Sequence, residues 1–254
     1  MTGSRSDDAK AEVLTITGLL ADLAEQSVAE AVKALSYKGR RPQVRRMITD
    51  LGVLIERTRA VIAQARVRVD GGQPDGATRL VSLHEPDARP IRKGRIGKPV
   101  EFGYKAQVVD NADGIILDHS VHIGNPSDHG LIRPAIERVT SRLGLAPVLL
   151  TADRGYWDTA IEADLTKIGV TTIVIPRTGR PSLSRQTIEH AATFITAVKW
   201  RTGCEGRISH LKRDCGWRRT RLRGHDGASI WCAHGVFTHN LIKINLINTE
   251  RCRR

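Results

Sequence analysis

Apolar residues recur at helical spacing twice near the start of the chain. Leu19, Leu20, Leu23, Val28, Val32 and Leu35 predict a helix over about residues 10–35. Gly39 and Pro42 break it. Ile48, Leu51, Leu54, Ile55 and Ile62 predict a second helix over about 43–67, so this part reads as a helical hairpin. "DGGQPDGA", Asp70 to Ala77, is a loop by its Gly, Pro and Asp content.

The period then changes to two. In "VEFGYKAQVV", Val100, Phe102, Tyr104, Ala106 and Val108 alternate with Glu101, Gly103, Lys105 and Gln107, which predicts a half-buried strand. "DNADG" is a turn and "IILDHSVHI" its hairpin partner. "NPSDHG" starts a helix carrying Leu131, Ile132, Ile136, Val139 and Leu143, closed by Gly144. "PVLLTA" predicts a buried strand. A helix follows over about 159–168, stopped by Gly169, and "VTTIVIP" is a further strand. Helices are then expected over about 184–200, 202–215 and 228–246. The order gives an α/β core with helical flanks. It divides the chain into a helical segment with its linker, residues 1–76, and an α/β domain, residues 77–254.

Charge changes the picture. The net charge is +13 and the pI about 10.2. Residues 180–254 carry 15 Lys and Arg against 5 Asp and Glu, whereas residues 81–179 carry 12 of each. Such asymmetry suits a polyanion, most naturally nucleic acid. A basic surface kept only for solubility is the other reading. No stretch approaches the ~18 apolar residues of a membrane span, and "MTGSRSDDAK" has no apolar signal core. Four cysteines, Cys204, Cys215, Cys232 and Cys252, do not make a disulfide framework in a chain this long, so a reduced, cytoplasmic setting is expected.

Two stretches carry candidate chemistry. "VLLTADRGYWD" ends an apolar strand in Asp153, at the strand end where α/β sheets gather ligands. A turn or N-cap role would also place an Asp there. "WRTGCEGRISHLKRDCGWRRTRLRG" sets one carboxylate, Glu205, among many cations. Ser209 and Lys212 share its helical face, and Ile208, Leu211 and Cys215 form the adjoining apolar stripe. Thr202 and Glu205 also match a capping box. Arg218, Arg219, Arg221 and Arg223 suit phosphate contacts, and Trp217 beside them either stacks on a base or joins the core. Cys204, His210, Cys215, His225, Cys232, His234 and His239 lie in one region, but their spacings match no common zinc framework.

Together these stretches resemble the insertion-sequence DDE transposases. "TADRGYWD" resembles their D-x-G-Y/F block. "RTGCEGRISHLKR" resembles their R-(3)-E-(6)-K signature, met by Arg201, Glu205 and Lys212. "SLHEPDARPIRKGR…VEFGYKAQVVDNADGIILDHSVHIGNPSDHG" is similar to the segment upstream of the second Asp. The resemblance implies an RNase H-like mixed sheet. It implies Asp153 and Glu205 as ligands of Mg2+ (or Mn2+), two ions where the site is complete, with the two carboxyl groups within roughly 10 Å. Water would nick double-stranded DNA at the element end, and the freed 3′-OH would attack target DNA. Arg201 and Lys212 would contact DNA near the cut, Tyr156 would serve packing, and a homo-oligomer would form on DNA.

This sequence departs from the family pattern at two places. Val198 stands where the signature has a Tyr. The first Asp should precede a helical stretch like residues 10–67, so an incomplete site, a truncated copy and no transposition by this chain alone are expected. Asp70, after "RVRV", is the only upstream acid with a hint of strand alternation; Asp87 and Asp110 fall in other family blocks or a turn. The competing function is a basic DNA-binding protein without catalysis.

Overall fold

The computed structural model describes residues 2–37, 39, 41–95 and 98–253. The chain divides into two compact units, Met1–Gly103 and Tyr104–Arg254.

In the first unit α1 (Thr2–Leu35) packs on α2 (Pro42–Val69). Pro42 opens α2 at a position whose N–H would have no helical partner. Ala21, Ile55 and Ile62 are buried. Arg66 of α2 pairs with Asp22 and Glu25 of α1. Asp70 is the C-cap of α2, so "RVRV" is helix and Asp70 ends no strand. Arg57 donates to the Leu83 carbonyl at 2.7 Å, drawing the next segment onto α2. An antiparallel pair follows, β1 (Arg89–Arg95) with β2 (Lys98–Gly103). The cationic "RPIRKGR" has no apolar alternation and gave no sign of β1 in the sequence.

The single strand expected over residues 100–109 is two strands. Gly103, at φ +148°, ends β2, and β3 (Lys105–Asp110) begins after Tyr104. In the second unit β3 pairs antiparallel with β4 (Ile116–His122). Their turn is held by Asn111 Oδ1, which accepts from the Asp113 and Ile115 N–H groups at 3.1 and 2.9 Å. Then come α3 (His129–Leu143), β5 (Leu149–Thr151), a 3-10 turn (Arg154–Tyr156), α4 (Ile161–Lys167) and β6 (Thr172–Val174), with β5 and β6 parallel. Gly144 and Gly169, at φ +75° and +96°, end α3 and α4 in a conformation that costs glycine nothing. The helix expected over 184–200 is broken at the extended Ala191 into α5 (Leu183–Glu189) and α6 (Ala192–Arg201). The two pieces have separate anchors. Arg185 of α5 reaches Glu162, Glu189 and the Ile175 carbonyl, whereas Phe194 and Ala197 of α6 pack on Val174. α7 (Gly203–Arg213) and α8 (Gly224–Cys252) complete the chain.

The described strands form three two-stranded ladders. Helices cover β3 and β4 on both faces. Val109 meets the cluster of Ile132, Ile136, Leu150, Ile161, Leu165, Val170 and Ile175. Val108, pointing the other way, meets Ile116, Leu211 and Val236. So α3 and α4 lie on one side and α7 and α8 on the other, an α/β arrangement. The expectation of a buried strand at "PVLLTA" holds only in part: Leu150 is 8% exposed, but Val148 is 70% and Leu149 51% exposed. β5 has a described neighbour on one side only, and the core reaches only its Leu150 face.

Candidate active site

Asp153 follows β5 at its C-terminal end. Its Oδ1 accepts from the Arg154 N–H at 2.7 Å, so it does cap the short 3-10 turn. Capping occupies little of it, and the side chain stays 62% exposed. The turn explains the next two residues. A Cβ on Gly155 would lie 2.8 Å from Asp128 Oδ2, so only glycine passes there without displacing that carboxylate. Tyr156 packs on the core and its hydroxyl accepts from Gln107 Nε2 at 3.3 Å. Burial raises the Tyr156 pKa, and the nearby carboxylates Asp128 and Asp153 add to the rise. Asp128 itself pairs with Lys105 at 2.6 Å.

Glu205 sits in the first turn of α7. The capping box does not form. Thr202 is helical, its hydroxyl donates to the Lys199 carbonyl at 2.6 Å, and it caps nothing. Glu205 is exposed, and no side-chain bond engages it among the described residues. One turn upstream, Arg201 is mostly buried, and its Nη2 lies 3.7 Å from Asp153 Oδ1. The two motifs, distant in sequence, therefore meet through Arg201 and Asp153.

The buried face of α7 differs from the expected stripe. Leu211 is fully buried, but Ile208 is 36% exposed. Cys204 and Arg207 take the inward positions instead. They meet Asp110, the last residue of β3. Arg207 Nε pairs with Asp110 Oδ2, and the Cys204 thiol donates to Oδ1 at 3.3 Å. Arg207 also donates to Cys204 Sγ at 3.0 Å and lies over the Trp200 ring, 5.0 Å from its centre. Burial raises the Cys204 pKa, and the Asp110 charge raises it further. Sequence reasoning missed this cluster because Asp110 read as a turn residue and Arg207 as one surface cation among many. Extending the helical stripe back from Leu211 to Arg207 and Cys204 would have exposed it.

Lys212, Arg218, Arg219, Arg221 and Arg223 are exposed. Trp217 belongs to the core: it packs with Ile116, Leu211 and Val236 and donates to the Cys232 carbonyl at 3.0 Å. Gly235 makes room for it, since a Cβ there would fall 2.5 Å from the indole. Val198, where the resemblance has a Tyr, is half-buried against Val174, Phe194 and Ala197. Three of the four histidines of this region have side-chain partners. His225 and His239 bond the Val121 and Gly114 carbonyls at 2.8 and 3.0 Å, and His210 bonds Asp214 at 2.8 Å. All four cysteines are free thiols. Among the described residues, no three His, Cys, Asp or Glu side chains are grouped to hold a metal ion, zinc included.

What emerges is an α/β domain whose strand-end carboxylate touches an arginine one turn ahead of a second exposed carboxylate, with a guanidinium row further along the same chain. A family model described as the transposase DDE domain matches residues 77–241. The chain belongs to that family, consistent with an insertion-sequence DDE transposase. No curated protein and no solved structure matches it. No helix among the described residues is long and apolar enough to cross a membrane.

Proposed function

We propose that this chain is an insertion-sequence transposase that binds double-stranded DNA and is built for Mg2+- or Mn2+-dependent strand cleavage and transfer, with Asp153 and Glu205 as two of the three carboxylates that chemistry uses. The observation that carries the reading is the Arg201–Asp153 contact, which brings the D-x-G-Y and R-(3)-E-(6)-K segments to one place. Asp153 and Glu205 are exposed carboxylates, the hard oxygen donors such ions prefer, and they are the residues that would hold the metal. When bound, the ions supply charge stabilisation for the attacking and leaving oxygens of an in-line phosphodiester displacement.

The chain's own residues have the remaining tasks. Arg201, fixed against Asp153, and Lys212 hold the phosphates beside the cut. Arg218, Arg219, Arg221 and Arg223 grip the duplex of element ends and target through its backbone. On this reading the catalytic domain runs from about residue 77 as an RNase H-like fold. The β3–β4 hairpin followed by the parallel β5–α4–β6 unit supports that description. Residues 1–76 form a helical hairpin appended to it, the DNA complex is a homo-oligomer, and the setting is the cytoplasm.

The experiment is incubation of purified protein with Mg2+ or Mn2+ and plasmid DNA carrying the sequences that flank its coding region. With only two of the family's three carboxylates assigned, strand transfer by this chain alone is not expected; divalent-dependent nicking, the first step, is the readout, with Asp153→Ala and Glu205→Ala each slowing it at least ~10²–10³-fold. Nicking indifferent to both changes would refute the assignment. A second reading rests on the exposed Arg218, Arg219, Arg221 and Arg223, which can grip a duplex with or without chemistry: a DNA-binding protein without catalysis. Salt-sensitive binding with no nicking under either ion would support it.

A further inference from the structure

We propose that the buried Asp110–Arg207 pair, joined by Cys204, is a positioning device that aims Glu205 at the Asp153 end of the sheet. The inference rests on reading Asp153 and Glu205 as metal ligands.

Leu211 seats α7 on the core, but apolar contact is non-directional. It fixes the depth of the helix better than its rotation. A rotation by one residue step would swing Glu205 by about 100°. On either side of Glu205 in sequence, Cys204 and Arg207 make directional contacts to the end of β3. The Asp110 side chain is 8% exposed and Arg207 20%. Charges removed from water tolerate few alternative arrangements, because a misplaced partner leaves the other uncompensated. Their anchor is the end of β3, within the hydrogen-bonded β3–β4 ladder rather than a loop.

The same guanidinium also reaches α6. It lies over Trp200, the residue before Arg201. Arg207 thus braces both helices, the one carrying Arg201 and the one carrying Glu205. The junction is shaped for it: a Cβ on Gly203 would come 3.2 Å from Arg207 Nη1, tighter than ordinary contact. Arg207 follows Glu205 by two residues, so the two side chains point about 200° apart around the helix. The guanidinium therefore cannot neutralise Glu205 directly and acts through the orientation of α7.

The test is luminescence titration of the full chain with Tb3+, an oxygen-seeking ion excited through nearby Trp and Tyr, with Mg2+ as competitor. Circular dichroism confirms folding of each variant. Loss of Tb3+ binding in Asp153→Ala and Glu205→Ala establishes the ligands. Asp110→Asn and Arg207→Ala are then expected to weaken Tb3+ binding about tenfold, as removal of groups that orient ligands does. Arg207→Lys, which keeps the charge, is expected to fall between. Unchanged affinity in folded Arg207→Ala would overturn the proposal and leave the pair as a fold anchor only. Tighter binding in Arg207→Ala would also overturn it, by showing Asp110 to be a ligand itself. Should Arg207→Ala fail to fold, Arg207→Lys decides: weaker binding supports the proposal, unchanged binding overturns it. Binding indifferent to Asp153 and Glu205 would overturn the ligand assignment, and this inference with it.

Discussion

Replacing Arg218, Arg219, Arg221 and Arg223 together by Ala should change how salt controls DNA binding. All four are exposed, and no ion pair holds any of them among the described residues. Each is therefore available to a phosphate. A phosphate contact contributes about 0.9 to the slope of log affinity against log salt, through release of condensed cations. Four contacts give about 3.6. Between 50 and 200 mM salt, wild-type affinity should then fall about 150-fold more than that of the quadruple variant. Fluorescence anisotropy on a labelled 30-base-pair duplex, titrated at several salt concentrations, measures both slopes. Exposed arginines without partners contribute little to folding, so each change should alter stability by no more than about 0.5 kcal/mol. Parallel salt lines for the two proteins would refute the reasoning and place the phosphate contacts elsewhere.

Gly235→Ala should destabilise by roughly 1–3 kcal/mol through overpacking, because its Cβ would fall 2.5 Å from Trp217 and 2.7 Å from the Cys215 carbonyl; an unchanged thermal melt would show that Trp217 packs elsewhere. Asp118→Ala should cost about 1.5–3 kcal/mol in urea denaturation, since this carboxylate, 1% exposed, takes bonds from Arg138 and Arg142 at 2.7 Å. Both arginines can return to water, which keeps the cost below that of a fully buried pair. Alkylation at pH 8 should modify the exposed Cys252 first and Cys232 last, because burial pushes the Cys232 pKa up to about 11 and leaves almost no thiolate. Peptide mass spectrometry would contradict this if Cys232 reacted as fast as Cys252.

Elements whose cause is local were legible in the sequence. The 3.6-residue period over 10–35 and 43–67 marks α1 and α2 to within a few residues at α2, although α1 starts at Thr2. Gly144 and Gly169 stop α3 and α4 where their positions suggested. Features caused by tertiary contact were not legible. Alternation continues through Gly103, so the break between β2 and β3 leaves no pattern. The split of α5 from α6 accompanies the tether of Arg185 to Glu162 and the Ile175 carbonyl, which no spacing reveals. Of the candidate site, Asp153 and Glu205 stand out as an acid closing an apolar run and an acid amid cations. Asp110 and Arg207 do not, because each resembles an ordinary surface residue until the fold buries them together. Thr202 shows the opposite failure: the capping-box spacing is present, but α6 runs almost into α7, so Thr202 keeps helical backbone and its hydroxyl turns back to Lys199.

On the proposed function, Asp153 and Glu205 share metal ions at one site. Crystals of the protein grown or soaked with Mn2+, measured at a wavelength where manganese scatters anomalously, test it most directly. An anomalous peak bonded to both carboxylates at about 2.1–2.2 Å is expected, with Arg201 beside it and Asp110 still paired with Arg207. A peak bonded to neither, or carboxylates on opposite sides of the sheet, would rule out a shared site.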